Sequence, residues 1–128
     1  MEGMTKYSLV KIEQVSGQQL FEKLVVDDVA PFDVFVSELE ERYRSELRTM
    51  YSYMNFVANN QSLPKDKFHP YSDGKDGARE YEFKTKHLRV YAIEKPGGKI
   101  IILGGKKSTQ SKDTTYFRKL KAGYLESL

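Results

Sequence analysis

The chain has no cysteine and no tryptophan. The first absence excludes disulfides and thiolate-held metals and is compatible with a reducing compartment. Only two histidines are present, His69 and His87, and without cysteine beside them they make no zinc set. Long apolar runs are also missing. The longest purely aliphatic one, Ile100 to Leu103, falls far short of the roughly 20 residues that cross a bilayer, so no contact with a membrane is expected. The opening stretch, MEGMTKYSLV, lacks the basic and apolar regions of a secretory signal, which makes the cytoplasm the expected location.

What is present is the composition of an ordinary globular domain. With 128 residues, 39% hydrophobic and 30% charged, the chain is expected to form a single domain over residues 1–128. The net charge of +3 conceals a division. Residues 1–64 hold 6 Lys and Arg against 10 Asp and Glu, whereas residues 65–128 hold 15 against 8. Between Lys84 and Lys112 eight cations stand against the single acid Glu94. Such clustering is the footprint of a polyanion site, although a basic stretch is more often a solvated surface.

Periodicity places these charges on elements. Tyr7 to Val15 is rich in β-formers and reads as a first strand. Pro31 suits the first turn of a helix, and Phe32, Val36, Leu39, Tyr43, Leu47, Met50, Met54 and Val57 then recur at spacings of three and four, the apolar stripe of a long helix or helical hairpin. Glu38 and Arg42, and Glu40 and Arg44, are four apart and are expected to pair along its wet side. Asn59-Asn60 and Pro64 end it, and a polar loop holding Pro70, Gly74 and Gly77 follows. Tyr81 to Lys84 and Leu88 to Glu94 alternate as strands, and Pro96-Gly97-Gly98 turns the chain into a third, Lys99 to Gly104. The apolar Ile100 to Leu103 marks that strand as central, covered on both faces. Phe117, Leu120 and Tyr124 share a face of a short C-terminal helix over Asp113 to Leu125, capped by Ser111 or Asp113. The result is an α+β fold: a small antiparallel sheet, a long helix or hairpin on one face, and a short terminal helix.

Several motifs fail on inspection. Leu103 stands where a P-loop starting at Gly98 needs its second glycine. Asp73 to Gly77 lacks the alternating acids and closing glutamate of a calcium loop. No cofactor is expected.

The stretch YEFKTKHLRVYAIEKPGGKIIILGGKKSTQSKD resembles the central and C-terminal part of the RelE/HigB-like toxins of bacterial toxin-antitoxin systems. The shared order is a strand ending in a basic residue, an L/R-R-V-x-Y/F-type strand, an apolar strand and a KK-x-x-Q strand exit. The resemblance implies a RelE-like fold and a ribosome-dependent endoribonuclease that cuts translated mRNA. Its implied partners are mRNA, the ribosome and a cognate helix-turn-helix antitoxin. The alternative is a non-catalytic relative that uses the same basic sheet to bind nucleic acid, such as rRNA, or, as a ParE-type protein, to inhibit gyrase.

Cleaving RNA by attack of its own 2′-hydroxyl needs a base at that hydroxyl, cations on the developing phosphorane and a proton for the departing 5′-oxygen. The resemblance carries the phosphate-clamp role onto Arg89 and the pair Lys106-Lys107, and a base-like or electrostatic role onto Lys84. Lys84, Arg89 and one of the two lysines sit on neighbouring strands or strand ends, so a shared concavity is open to them. Which of Lys106 and Lys107 turns inward depends on whether Gly104-Gly105 introduces a bulge. His87, in the tight turn between two strands, has the side chain whose unperturbed titration near 6.5 suits acid–base work. Lys86, Gln110 and Lys112 extend the expected RNA surface, and Tyr91 and Tyr116 offer rings for a base or cover for the core. His69 is expected to be structural.

Overall fold

Burial of the four aliphatic residues Ile100 to Leu103 requires cover on both sides, and the architecture supplies it. The structure, a computed structural model, describes residues 4–128. Its elements are β1 (Tyr7–Lys11), β2 (Leu20–Val26), α1 (Pro31–Glu38), a 3-10 turn at Glu41–Tyr43, α2 (Arg44–Ala58), β3 (Phe68–Ser72), β4 (Glu80–Lys84), β5 (Leu88–Lys95), β6 (Gly98–Lys106), a second 3-10 turn at Lys107–Thr109, and α3 (Gln110–Glu126). The strands form one six-stranded sheet in the order β1-β2-β6-β5-β4-β3. All neighbours are antiparallel except β2 and β6, which run parallel. The fold is α+β, as the pattern implies.

Two apolar clusters fill the two faces. Phe32, Leu47, Met50 and Met54 of α1 and α2 pack with Phe21, Phe83, Val90 and Ile101. Phe117 and Leu120 of α3 pack on the other side against Leu24, Tyr91, Ile93 and Ile100. Alternation along β4 sends Tyr81 and Phe83 to the first face. Glu80 and Glu82 therefore turn to the second, where both are buried.

Buried carboxylates persist only when paired. Glu80 meets Arg118 at 3.0 Å and Lys121 at 3.1 Å, both from α3, and Lys121 also binds Asp76 at 2.6 Å and donates to the Ala78 carbonyl at 2.7 Å. Lys121 is itself only 1% exposed. This cluster bolts α3 to the sheet. At 17 residues α3 is longer than the expected short helix; it starts at Gln110, whose amide donates to the buried Glu82 at 2.6 Å. No side chain caps it; Thr109 precedes it and donates to Asp113 at 2.6 Å.

Other differences have local causes. The apolar stripe from Phe32 to Val57 is interrupted, because Leu39 and Glu40 are extended between α1 and the 3-10 turn. The break contains neither proline nor glycine, so periodicity alone reads through it. It also dissolves the expected helical pairs: Glu40 bonds Lys106 and Arg42 instead of Arg44. The first strand stops at Lys11. β2 carries Glu22 and Lys23 in its middle, which hides its alternation. β3 contains Pro70, which only an edge strand accommodates, so its sequence reads as loop. No helix among the described residues is long and apolar enough to cross a membrane.

The parallel contact of β2 with β6 depends on Gly98. A Cβ there would lie 1.9 Å from the Leu20 carbonyl oxygen, a backbone atom that cannot swing away. Gly98→Ala should therefore destabilise by about 1–3 kcal/mol or more. Gly97→Asn, in open space at φ +77°, should cost only a few tenths, since asparagine tolerates left-handed backbone. Urea unfolding of both variants checks this; equal costs would mean that the β2–β6 approach is looser than described.

Candidate nucleic-acid interface

The register of β6 against β5 contains one extra residue. Tyr91 is level with Leu103 and Ala92 with Ile101, so Ile102 has no partner. A bulge of this kind shifts the side-chain alternation by one. Ile102 and Leu103 consequently both face α3. Gly104 then turns toward Phe35 of α1, Gly105 toward Asp113 of α3, and Lys106 toward Tyr43 and Glu40 on the α1–α2 side. The bulge lies just before the glycine pair, whose small size admits α1 on one face and α3 on the other.

This decides where the expected cations go. Lys84 is level with Arg89, on the α3 face. Arg89 is 6% exposed, and its guanidinium donates to the carbonyls of Thr85 at 2.6 Å and Leu88 at 2.8 Å. A phosphate clamp needs an accessible fork, and Arg89 instead ties together the turn between β4 and β5. Its Nε, like the Tyr91 hydroxyl, is buried without a hydrogen-bond partner. Tyr91 is fully buried and stacks on Phe117 with ring centroids 5.4 Å apart, so its face is closed to a base; burial also pushes its hydroxyl pKa up. Gln110 donates to the buried Glu82 at 2.6 Å, and His69 lies 3.2 Å from the same carboxylate, so both serve the packing of α3 and β3. Burial, the largest influence on Glu82, raises its pKa against the pull of His69, Arg89 and Lys84.

The remaining candidates meet at the end of the sheet. Tyr43, His87, Lys106, Lys107 and Ser108 line a cleft of about 370 Å³. The His87 carbonyl accepts the Lys107 N–H at 2.8 Å, which fixes the turn against the β6 exit. Behind the imidazole stands Glu46, in the first turn of α2. Its carboxylate accepts from the Thr85 hydroxyl at 2.6 Å, the His87 backbone N–H at 2.8 Å and His87 Nδ1 at 2.7 Å. Desolvation, the largest single influence, raises the Glu46 pKa, but the hydrogen bonds from Thr85 and His87 outweigh it and hold the carboxyl below its ordinary range. An ionised carboxylate only accepts, so the proton sits on Nδ1 and a neutral His87 presents a bare Nε2. Nε2 takes no hydrogen bond among the described residues.

The side-chain ammonium groups of Lys84, Lys86 and Lys107 make neither a salt bridge nor a hydrogen bond among the described residues, and of the three Lys107 lines the cleft. Lys106 pairs with Glu40 and lies 5.3 Å over the Tyr43 ring. Its ammonium, by hydrogen bond and charge, lowers the Glu40 pKa. Lys112 and the exposed Tyr116 stand further along the same end, on α3. Glu46 and Tyr43 were not among the sequence candidates. Glu46 precedes the apolar Leu47 and reads as an ordinary wet helical acid, and its partners Thr85 and His87 are about forty residues away.

The Glu46 shift has a defined sign. A carboxyl whose pKa is lower in the folded state than unfolded contributes stability above its unfolded value, and that contribution is lost as pH falls through the folded one. Glu46→Gln should thus be less stable than wild type at neutral pH, with the gap closing below the ordinary 4.5. Urea midpoints at about pH 7 and pH 3 test this, and a gap independent of pH would contradict it. No protein-family model, no curated protein and no solved structure matches this chain.

Proposed function

We propose that this protein cleaves RNA without a metal, as the toxin of a toxin-antitoxin pair acting on translated mRNA at the ribosome in the cytoplasm, and that a helix-turn-helix antitoxin silences it. The observation that carries the reading is the imidazole of His87, oriented by Glu46 and sharing a cleft with Lys106 and Lys107. The resemblance of the strand-and-lysine pattern to RelE/HigB-like toxins supplies the substrate class.

The roles follow from the chemistry. Nε2 of His87 takes the proton of the 2′-hydroxyl as the 2′-oxygen forms its bond to phosphorus. Lys106, exchanging Glu40 for the substrate, stabilises the extra negative charge on the phosphorane oxygens. The bond to the 5′-oxygen breaks, and the ammonium of Lys107 gives that oxygen its proton. The products are a 2′,3′-cyclic phosphate and a 5′-hydroxyl. Glu46 and Arg89 touch no substrate; they position the turn that carries His87. Lys84 and Lys86 attract the flanking phosphates.

Ribosome-dependent cleavage by His87→Ala should fall about 10²–10⁴-fold, and by Lys106→Ala about 10²–10³-fold. Glu46→Gln should lower kcat with KM nearly unchanged, and Glu40→Gln, by releasing Lys106, should tighten RNA binding. Lys23→Ala, remote from the cleft, is the control. Cleavage equal in all variants would refute these roles. Growth arrest on expression with mRNA intact and DNA supercoiling lost would favour the ParE-type reading instead.

A further inference from the structure

β2 and β6 pair over Leu20–Lys23 and Gly98–Ile101 and no further. Beyond this point β2 stays with β1 as far as Val26, and β6 stays with β5 as far as Lys106. The parallel strands therefore fork at their carboxyl ends. β2 leads into α1 on one face and β6 into α3 on the other, so the fork opens between two helices that leave on opposite faces, a local likeness, in this one parallel pair, to the ligand crevices at strand carboxyl ends. A crevice of about 480 Å³ opens there, within the range of small-molecule sites.

Its walls are apolar and its polar groups are few. Val29 (53% exposed), Val34 (38%) and Tyr116 (48%), three of the exposed large hydrophobic residues, all line it beside Leu103. Asp113 is engaged by Thr109. Glu38 and Lys112, by contrast, bring a carboxylate and an ammonium to the crevice, and neither makes a salt bridge or side-chain hydrogen bond among the described residues. A second cleft, of about 350 Å³, shares Glu38 and Lys112 with the crevice and Lys106 with the His87 cleft. Shared lining residues thus link three neighbouring clefts in series, from His87 through Lys106 and Lys112 to Tyr116.

We propose that the crevice holds one nucleobase of single-stranded RNA whose backbone passes Lys106 and Lys112, and that the base is guanine. The exposed valines and the aromatic ring of Tyr116 supply the apolar and stacking surface that a planar base takes. The Glu38 carboxylate accepts two adjacent N–H groups, and guanine alone offers them, from N1 and N2. Adenine and cytosine place an acceptor beside their amine, and uracil flanks its single N–H with two carbonyls. The assignment rests on the RNA-cleaving reading but is tested apart from cleavage.

The test titrates the ¹⁵N-labelled full chain with four ribonucleoside 5′-monophosphates and with two RNA hexamers, one all uridine and one carrying a single guanine. Guanosine monophosphate should shift the amides of Gly104, Lys112 and Tyr116 and bind at least about tenfold tighter than the uridine nucleotide, with the hexamers in the same order. Glu38→Gln should bring that preference within about twofold, whereas Tyr116→Ala should weaken all nucleotides alike by about five- to a hundredfold, the value of one base stack. Equal affinity for the four nucleotides, preference retained by Glu38→Gln, or guanine preference in the mononucleotides but not in the hexamers would each overturn the assignment. Crevice binding in a protein that never cuts RNA would leave the subsite standing and remove only the catalytic reading. Cleavage without crevice binding would do the reverse.

Discussion

Ile102 has no partner on β5, and the side chains that follow it are turned over to the opposite face of the sheet. In a regular strand Lys106 would share a face with Ile100 and Ile102, beneath α3 and beside Arg89. With the extra residue it emerges on the α1–α2 side, level with Leu88, and reaches Glu40, Tyr43 and the cleft of His87. The same shift points the hydrogen of Gly104 at Phe35 and that of Gly105 at Asp113, where any larger side chain would collide. A greasy strand ending in two glycines and two lysines is the sequence of a strand that bulges, admits a helix on either face, and delivers a cation to its end.

The α3 face is committed to holding the helix. Glu80 is bound by Arg118 and Lys121, Lys121 by Asp76, and Glu82 by Gln110 with His69 alongside. Buried ionic groups of this kind are costly to break singly, and on this face Arg89, expected on an open concave surface, is buried. What is left open is the end of the sheet. There the turn between β4 and β5, the exit of β6 and the start of α2 come together, and Lys106 and Lys107 share a cleft with a histidine held by a carboxylate.

The parts of this arrangement that repeat along the chain were legible in sequence. The stripe from Phe32 to Val57, the alternation of β4 and β5 and the doubly buried Ile100–Leu103 each carry a period that burial imposes, so the α+β class, one helical layer and the β4–β6 meander could be read directly. The break at Leu39-Glu40 leaves no mark, because it contains no residue that forbids a helix. β3 is concealed by Pro70 and β2 by its central charges. In the candidate site, His87, Lys106 and Lys107 announce themselves by residue type and fall together, whereas Arg89 and Tyr91 have suitable side chains but the wrong side of the sheet. The missing partner was Glu46, because a carboxylate that orients a histidine from another element is defined by tertiary proximity and by nothing local. The direction of Lys106 hinged on a bulge whose register only the paired strands reveal.

The proposed cleavage of RNA by its own 2′-hydroxyl at the His87 cleft makes the ribose of the cut nucleotide indispensable. The most direct measurement uses ribosome-bound mRNA carrying a single 2′-deoxynucleotide on the 5′ side of the mapped cut. Cleavage at that bond should disappear while binding is retained, and the all-ribose message should yield a 2′,3′-cyclic phosphate and a 5′-hydroxyl. Cleavage that persists at the deoxy position, or products ending in a 3′-hydroxyl and a 5′-phosphate, would contradict it.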